Sequence, residues 1–341
     1  MVNHSRFFMY CLLVFLICSC SSTKSSAGGD NGVTKDTIQN YYNPIIDYDT
    51  PDPTVMEIDG KFYLFATENN HVTPVWISTD LVHWTKKDGS AFASRPSFVP
   101  DGGVWAPDAH YIDGQYVLYY AMSTWGGEWK CGIGVGVSKY PDGPYNDLGK
   151  MFTSEEIGVQ NSIDEFFIQD NGHNYLFWGS FHGIYGIELT PDGLHIKEGA
   201  QKVKIAGDFM EATYIHKRNG YYYLFGSNGT CCEGDNSTYQ IVYGRSKSLF
   251  GPYVTREGGR LLDGNFDVLL HGNGKFVGPG HNAEFMIDDA GQDWIIYHSY
   301  LRGKSDMGRV AMLDPINWTD DWPVIVNNSP STFHKIPFFK K

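Results

Sequence analysis

Three carboxylates stand just ahead of aromatic-rich segments. They are Asp52 in Thr50-Pro51-Asp52-Pro53-Thr54-Val55, Asp164 in Asn161-Ser162-Ile163-Asp164-Glu165-Phe166-Phe167, and Glu211 in Met210-Glu211-Ala212-Thr213. One carboxylate beside an apolar segment is ordinary. Three placed alike, on a surface that buries them, could divide acid–base chemistry among themselves. An ionised carboxylate would take a proton from water, and a carboxyl kept protonated by burial or a neighbouring charge would give one to a leaving group. Two prolines hold Asp52 in an extended segment, and Pro53 biases it away from helix. The adjacent Cys231 and Cys232 are expected to be two buried thiols rather than a vicinal disulfide, Cys131 has no evident partner, and no cysteine/histidine spacing points to zinc. The spacing around His281, in Gly278-Pro279-Gly280-His281, favours a core histidine over a metal ligand or site residue.

The elements that must position these acids repeat. Asp59-Gly60 leads into Phe62-Tyr63-Leu64-Phe65, Asp113-Gly114 into Tyr116-Val117-Leu118-Tyr119, and Asn171-Gly172 into Tyr175-Leu176-Phe177-Trp178. Asn219-Gly220 leads into Tyr221-Tyr222-Tyr223-Leu224-Phe225, and Gly291 into Trp294-Ile295-Ile296-Tyr297. Asp-Gly or Asn-Gly between apolar runs is a strong hairpin signal, because type I′ turns need positive φ. The five glycines are 54, 58, 48 and 71 residues apart. That spacing predicts an all-β fold, a single five-bladed β-propeller, because a blade cannot bury its faces without its neighbours. Equivalent positions in successive blades converge on the central channel, so the three acids should face one another there. Either Thr332 to Phe339 or the segment near Tyr42 is expected to complete a blade and close the ring. Trp105, ahead of the Pro107 turn, reads as core or as a flat face for a sugar ring.

The chain has 341 residues, 15% aromatic, with 39 glycines, which suits many short strands joined by tight turns. A net charge of −13 argues against nucleic acid and anionic membrane surfaces as partners and is compatible with a neutral ligand. Residues 1–20 read as a secretory signal: Arg6 precedes the apolar run Phe7 to Ile17, too short to span a membrane. Ile17-Cys18-Ser19-Cys20 is similar to a bacterial lipoprotein box, so Cys20 is the expected lipid attachment point and the only link to a membrane. Residues 21–41 form a Ser/Gly/Lys-rich tether. Residues 42–341 form the propeller, expected to be monomeric and exposed to the periplasm or the cell exterior.

Taken together, the motifs resemble glycoside hydrolase family 43, five-bladed propellers acting on arabinan and xylan. The matching segments are Pro51-Asp52-Pro53, Trp105-Ala106-Pro107-Asp108, Asn161-Ser162-Ile163-Asp164, Met210-Glu211-Ala212, Gly278-Pro279-Gly280-His281 and Trp318…Trp322-Pro323. Cys231-Cys232 with Gly234 and Ser237-Thr238-Tyr239 resembles the endo-acting arabinanases more narrowly. The resemblance implies Asp52 as general base, Glu211 as general acid and Asp164 as the group that tunes Glu211. It implies Trp105 as a sugar-stacking face, Asn161 and Ser180 as hydrogen-bonding groups, and His281 as a holder of calcium in the channel. Pro51 stands where endo-acting members usually carry histidine, and Gly308-Arg309 resembles the arginine with which exo-acting members grip a terminal sugar. The expected activity is inverting hydrolysis of α-1,5-linked arabinan in plant cell-wall polysaccharide, cutting internally. The alternatives are an exo-acting arabinofuranosidase or β-xylosidase, or a propeller that binds glycan without cutting it.

Overall fold

The computed structural model describes residues 39–340. The expected signal segment, the lipid site at Cys20 and the tether up to residue 38 lie outside the described residues. Five four-stranded antiparallel meanders follow one another along the chain. Blade one comprises Thr54–Ile58, Lys61–Phe65, Val75–Ser78 and Thr85–Lys86, and blade two Gly103–Ile112, Gln115–Ser123, Gly132–Ser138 and Asn146–Thr153. Blade three comprises Phe166–Asp170, His173–Trp178, Ile184–Leu189 and Val203–Ala206, and blade four Glu211–Arg218, Tyr221–Asn228, Gln240–Ser246 and Asp267–His271. Blade five comprises Phe276–Gly280, Asp293–Leu301, Val310–Thr319 and Trp322–Val324, with the short strand Met286–Ile287 beside its second strand. The α-helix Ser154–Ile157 is a single capped turn.

The predicted hairpins form as their turn chemistry requires. Asp59, Asp113, Asn171 and Asn219 have φ of 50°, 48°, 49° and 48°, and each following glycine is also positive. Type I′ turns need this pair of left-handed residues. The fifth hairpin differs. Gly280 pairs with His298 and Met286 with Trp294, so five residues on the first strand face three on the second. This bulge lifts His281 out of the ladder, as bulges beside active sites commonly re-aim a side chain. One extra residue also interrupts the first strands of blades two and four, between Trp105 and Asp108 and between Glu211 and Tyr214.

Blades pack through aromatic side chains, with Trp178, Tyr119, Tyr120, Phe65 and Phe225 fully buried. The ring closes differently from the expectation. Neither terminal segment completes a blade, because blade five draws all its strands from its own stretch of chain. Instead Asn40–Tyr42 pairs with Phe333–Lys335 in a separate two-stranded ribbon. The Tyr41 hydroxyl and Asn43 Nδ2 donate to Leu313 O at 2.7 and 2.8 Å, and Leu313 N donates to Asn43 Oδ1 at 2.9 Å. Phe339 packs on Phe62 of blade one, 5.0 Å between ring centroids. The two termini thus seal blade five against blade one. Asn43→Ala leaves the buried N–H of Leu313 unpaired, while Leu313 O keeps its Tyr41 donor, and should cost about 2 kcal/mol, read as a lower midpoint in urea with an unchanged slope.

Candidate active site

A left-handed residue recurs in or beside the first strand of every blade: Asp52 (φ 55°), Ala106 (41°), Asp164 (58°), Ala212 (59°) and His281 (43°). Non-glycine residues seldom adopt this conformation. Asp52 and Asp164 therefore hold equivalent places. Glu211 does not: it stands one residue before Ala212, matching Trp105 in blade two. The bulge in blade four supplies the offset. All three acids nevertheless line one groove of about 580 Å³, together with Trp105, Asn161, Ser180, His281 and Arg309. Every site residue expected from the sequence is thus brought to one place.

Asp52 is buried and its oxygens are occupied. Thr67 Oγ1 donates to Oδ2 at 2.6 Å, and Arg309 NH1 donates to Oδ1 at 3.0 Å. Nδ1 of His298 lies 3.1 Å from the Asp52 backbone nitrogen and 3.3 Å from Oδ1, and His281 Nδ1 lies 3.4 Å from Oδ1. Burial pushes the Asp52 carboxyl up, but Arg309, His281 and the His298 hydrogen bond together hold it well below the usual carboxylate range. His281 is itself pushed down to about 4, first by burial, so above that pH it is neutral and Arg309 carries the compensating charge. Arg309 is accordingly a groove residue whose side chain grips Asp52, not a surface arginine.

Glu211 has the opposite setting. Ser180 Oγ donates to Oε2 at 2.5 Å, Tyr239 OH donates to Oε1 at 2.7 Å, and Asn161 Nδ2 donates to Ser180 Oγ at 2.9 Å. Burial raises the Glu211 carboxyl, and the charge of Asp52 adds to it, against the lowering effect of the Ser180 and Tyr239 donors. Asp164 is raised well above the usual range by burial and then by Glu211 and Asp52, while accepting the Ala212 backbone N–H at 3.0 Å. The groove therefore holds one carboxyl kept ionised and two pushed towards protonation, the division that acid–base chemistry needs.

Sequence reasoning does not single out Thr67, Tyr239 or His298 as site residues. Thr67 ties Asp52 to blade two, since Ala106 N donates to its Oγ1 at 2.8 Å. Tyr239 and His298 stack face to face, 5.7 Å apart with 9° between planes, behind the two acids they touch. The tyrosine follows Ser237-Thr238 in a motif already conspicuous in the sequence; the other two carry no such signal. Removing the Tyr239 donor removes a lowering influence on Glu211. Tyr239→Phe should therefore move the alkaline limb of the kcat/KM–pH profile upward, and an unmoved or lowered limb would contradict this arrangement.

The expectation for Cys231 and Cys232 needs correction. They are bonded to each other, line the groove, and are partly exposed and exposed respectively. Gly229 (φ 92°) turns the chain outward after Asn228, which carries both side chains to the groove wall instead of the core. Cys131 is free and buried.

The calcium implied by the resemblance can be set against the channel below the acids. A cavity of about 20 Å³ there is lined by Thr54, Asp108, Glu165, Thr213, His281 and Glu284, among others. Both Glu165 carboxylate oxygens, Thr213 Oγ1 and Asn282 Oδ1 are buried without a partner. Such atoms call for water or an ion, and the space suffices for about one. Asp108, His110 and Glu284 each bring a ligand atom within 4.8 Å of the others. Burial, with Asp108, lifts Glu284 to about 8. An oxygen-rich donor set of this kind suits a hard divalent cation, so the residues fit calcium.

The sequence model of glycosyl hydrolases family 43 matches residues 41–323. The chain belongs to family 43. It is similar to the extracellular endo-alpha-(1->5)-L-arabinanase 1 of Bacillus subtilis, 33% identical over 288 residues that cover 80% of this chain and 86% of that protein. It is also similar to the extracellular exo-alpha-(1->5)-L-arabinofuranosidase ArbA of Cellvibrio japonicus, 30% identical over 308 residues that cover 81% and 86%. A solved Cellvibrio cellulosa alpha-L-arabinanase complexed with arabinohexaose superposes with a TM-score of 0.74 at 30% identity, covering 82% of this chain and 96% of that one. As a family 43 protein this chain is a glycoside hydrolase.

Proposed function

We propose that this glycoside hydrolase cleaves α-1,5-linked L-arabinan with inversion, Asp52 acting as general base and Glu211 as general acid. The observation that carries the reading is the opposed setting of these two carboxyls within one groove: Asp52 held ionised beside Arg309, Glu211 pushed up by burial. Inversion asks for a base that activates water on one face of the sugar and an acid that protonates the leaving oxygen on the other. Asp164, pushed towards protonation next to Glu211 and holding Ala212 N–H, fixes the blade-four bulge that presents the acid. Asn161 and Ser180 form a chain of donors to Glu211, and Trp105 offers the sugar an apolar face.

Internal cutting is supported by the Cys231–Tyr239 loop, which resembles endo-acting members, and by the endo-acting Bacillus relative. A second reading, terminal cutting, is favoured by Pro51 ahead of the base, by Arg309 inside the groove and by the exo-acting Cellvibrio relative. The deciding experiment is a product profile on linear α-1,5-arabinan, with the anomeric configuration of the first products followed by proton NMR. Oligosaccharides of mixed length with inverted configuration are the expected outcome. Arabinose alone from the start would establish the exo reading, and a retained configuration would remove the base and acid assignment.

Both relatives are named as extracellular, which with the apolar run Phe7 to Ile17 supports export; anchoring through Cys20 rests on the lipoprotein-box likeness of Ile17-Cys18-Ser19-Cys20 alone. Calcium would sit among Glu165, Asp108, Glu284 and His281, where it would supply positive charge beneath the acids. Adding calcium to protein dialysed against EDTA should raise Tm by about 5 °C, and Glu165→Gln should diminish the shift. No shift in the wild type would remove calcium from this channel.

A further inference from the structure

The loop from Asn228 to Gln240 in blade four carries a bond whose purpose is not structural. A disulfide between adjacent residues closes the smallest possible loop, so it removes almost no chain entropy from the unfolded state. The loop does not need it for shape either. Thr230 N donates to Thr238 Oγ1 at 3.0 Å and Thr238 N to Thr230 Oγ1 at 3.1 Å. Glu233 N donates to Ser237 Oγ at 2.9 Å, and Gly303 N in blade five donates to the Asp235 carboxylate at 2.9 Å. Core packing is excluded as well, since Cys232 is exposed.

What the bond does change is the surface. Two free thiols are separate rotors with weak S–H donors. Joined, their sulfurs and β-carbons make one fixed, polarisable, apolar plate without a donor. That plate lines the groove shared by Asp52, Glu211, Trp105, Trp125 and Phe181. Its loop ends in Tyr239, whose hydroxyl donates to Glu211, so it belongs to the acid's side of the groove, where the leaving group departs. Apolar plates of this kind suit the C–H face of a furanose ring, whose hydroxyls lie round its edge.

We propose that the Cys231–Cys232 disulfide is a sugar-binding wall on the leaving-group side, packing against the C–H face of the arabinofuranosyl residue that leaves. The assignment rests on the arabinan reading above. It makes the pair a specificity determinant for a sugar leaving group, and it predicts weaker binding of oligosaccharides, without loss of chemistry, when the bond is opened.

The test uses the exported protein purified in air. Intact mass under denaturing, non-reducing conditions should show the chain two hydrogens short of its fully reduced mass; free thiols at Cys231 and Cys232 would overturn the proposal. Kinetics are then compared for the native enzyme, the enzyme under mild reduction, and the double variant Cys231→Ser with Cys232→Ser. KM for arabinotriose should rise about fivefold, the equivalent of uncovering on the order of 40 Å² of apolar surface, with kcat within about twofold. Hydrolysis of the nitrophenyl glycoside of α-1,5-arabinotriose, which fills the groove on the other side and whose leaving group is no sugar, should be unaffected. An unchanged KM in both the reduced enzyme and the double variant overturns the proposal. A parallel fall of kcat on both substrates also overturns it, because the bond would then act by positioning Tyr239. If the wild type cleaves xylan but not arabinan, the arabinan reading fails by itself; the same KM split on xylo-oligosaccharides then supports the wall, and its absence overturns it.

Discussion

Glu211→Gln should lower kcat/KM on linear α-1,5-arabinan by about 10³–10⁴-fold, the range that general acid–base catalysis supplies. The glutamine keeps the shape of the carboxyl. Its Oε1 can accept from one of Ser180 and Tyr239, the donors at 2.5 and 2.7 Å, and its amide nitrogen can donate to the other hydroxyl once that hydroxyl turns, so the fold and the groove should persist. What disappears is the proton for the leaving oxygen. A nitrophenolate departs without protonation, and on the nitrophenyl glycoside of α-1,5-arabinotriose the loss should therefore be smaller by an order of magnitude or more. Equal losses on the two substrates would show that Glu211 does not protonate the leaving group. A protein that merely binds glycan would show no turnover to lose and unchanged affinity for arabino-oligosaccharides.

Asp52→Asn is expected to cost about as much, but without relief from a better leaving group, because activation of water is required whichever group departs. The substitution also removes the charge that Arg309 faces. A buried guanidinium deprived of its carboxylate is costly, so this variant should have a lower Tm than Glu211→Gln, although Asn Oδ1 can still accept one hydrogen bond. The native acidic limb of the kcat/KM profile should lie well below the usual carboxylate range, because Asp52 stays ionised there. Removing Arg309 would move that limb upward. The two carboxyls thus differ in what they predict: leaving-group dependence for Glu211, charge balance for Asp52.

The hairpins were legible because their cause is local. Asp59-Gly60, Asp113-Gly114, Asn171-Gly172 and Asn219-Gly220 carry within two residues the conformations that a tight turn demands. The bulges were not, because an extra residue is defined only against the opposite strand. For that reason the sequence placed Glu211 level with Asp52 and Asp164, when it stands one residue earlier. The same distinction separates the acids from their partners. Motif order revealed Asp52, but His298, 246 residues away, meets it only once the ring closes, and Thr67, just past the second strand of blade one, only once that hairpin pairs. Arg309 was readable only through a family likeness, and its hydrogen bond to Asp52 only from the fold. The family likeness offers Asn161 and Ser180 as groups for the sugar; in the structure Asn161 donates to Ser180 and Ser180 donates to Glu211. The cysteines misled because burial of a loop side chain depends on which way Gly229 turns the chain.

The five left-handed residues in or beside the first strands amount to a ring of interchangeable sockets. Each blade has already adopted the uncommon backbone there, so what the ring does depends on which side chain occupies each place. Two hold aspartate and one histidine, while Ala106 and Ala212 present only a methyl group. Asparagine and aspartate tolerate this conformation better than most residues, whereas β-branched residues do not. Asn or Asp could therefore be installed at position 106 without asking the backbone for anything new, and Val or Ile could not. A propeller built this way can revise its chemistry one blade at a time, leaving the sheets that carry it untouched.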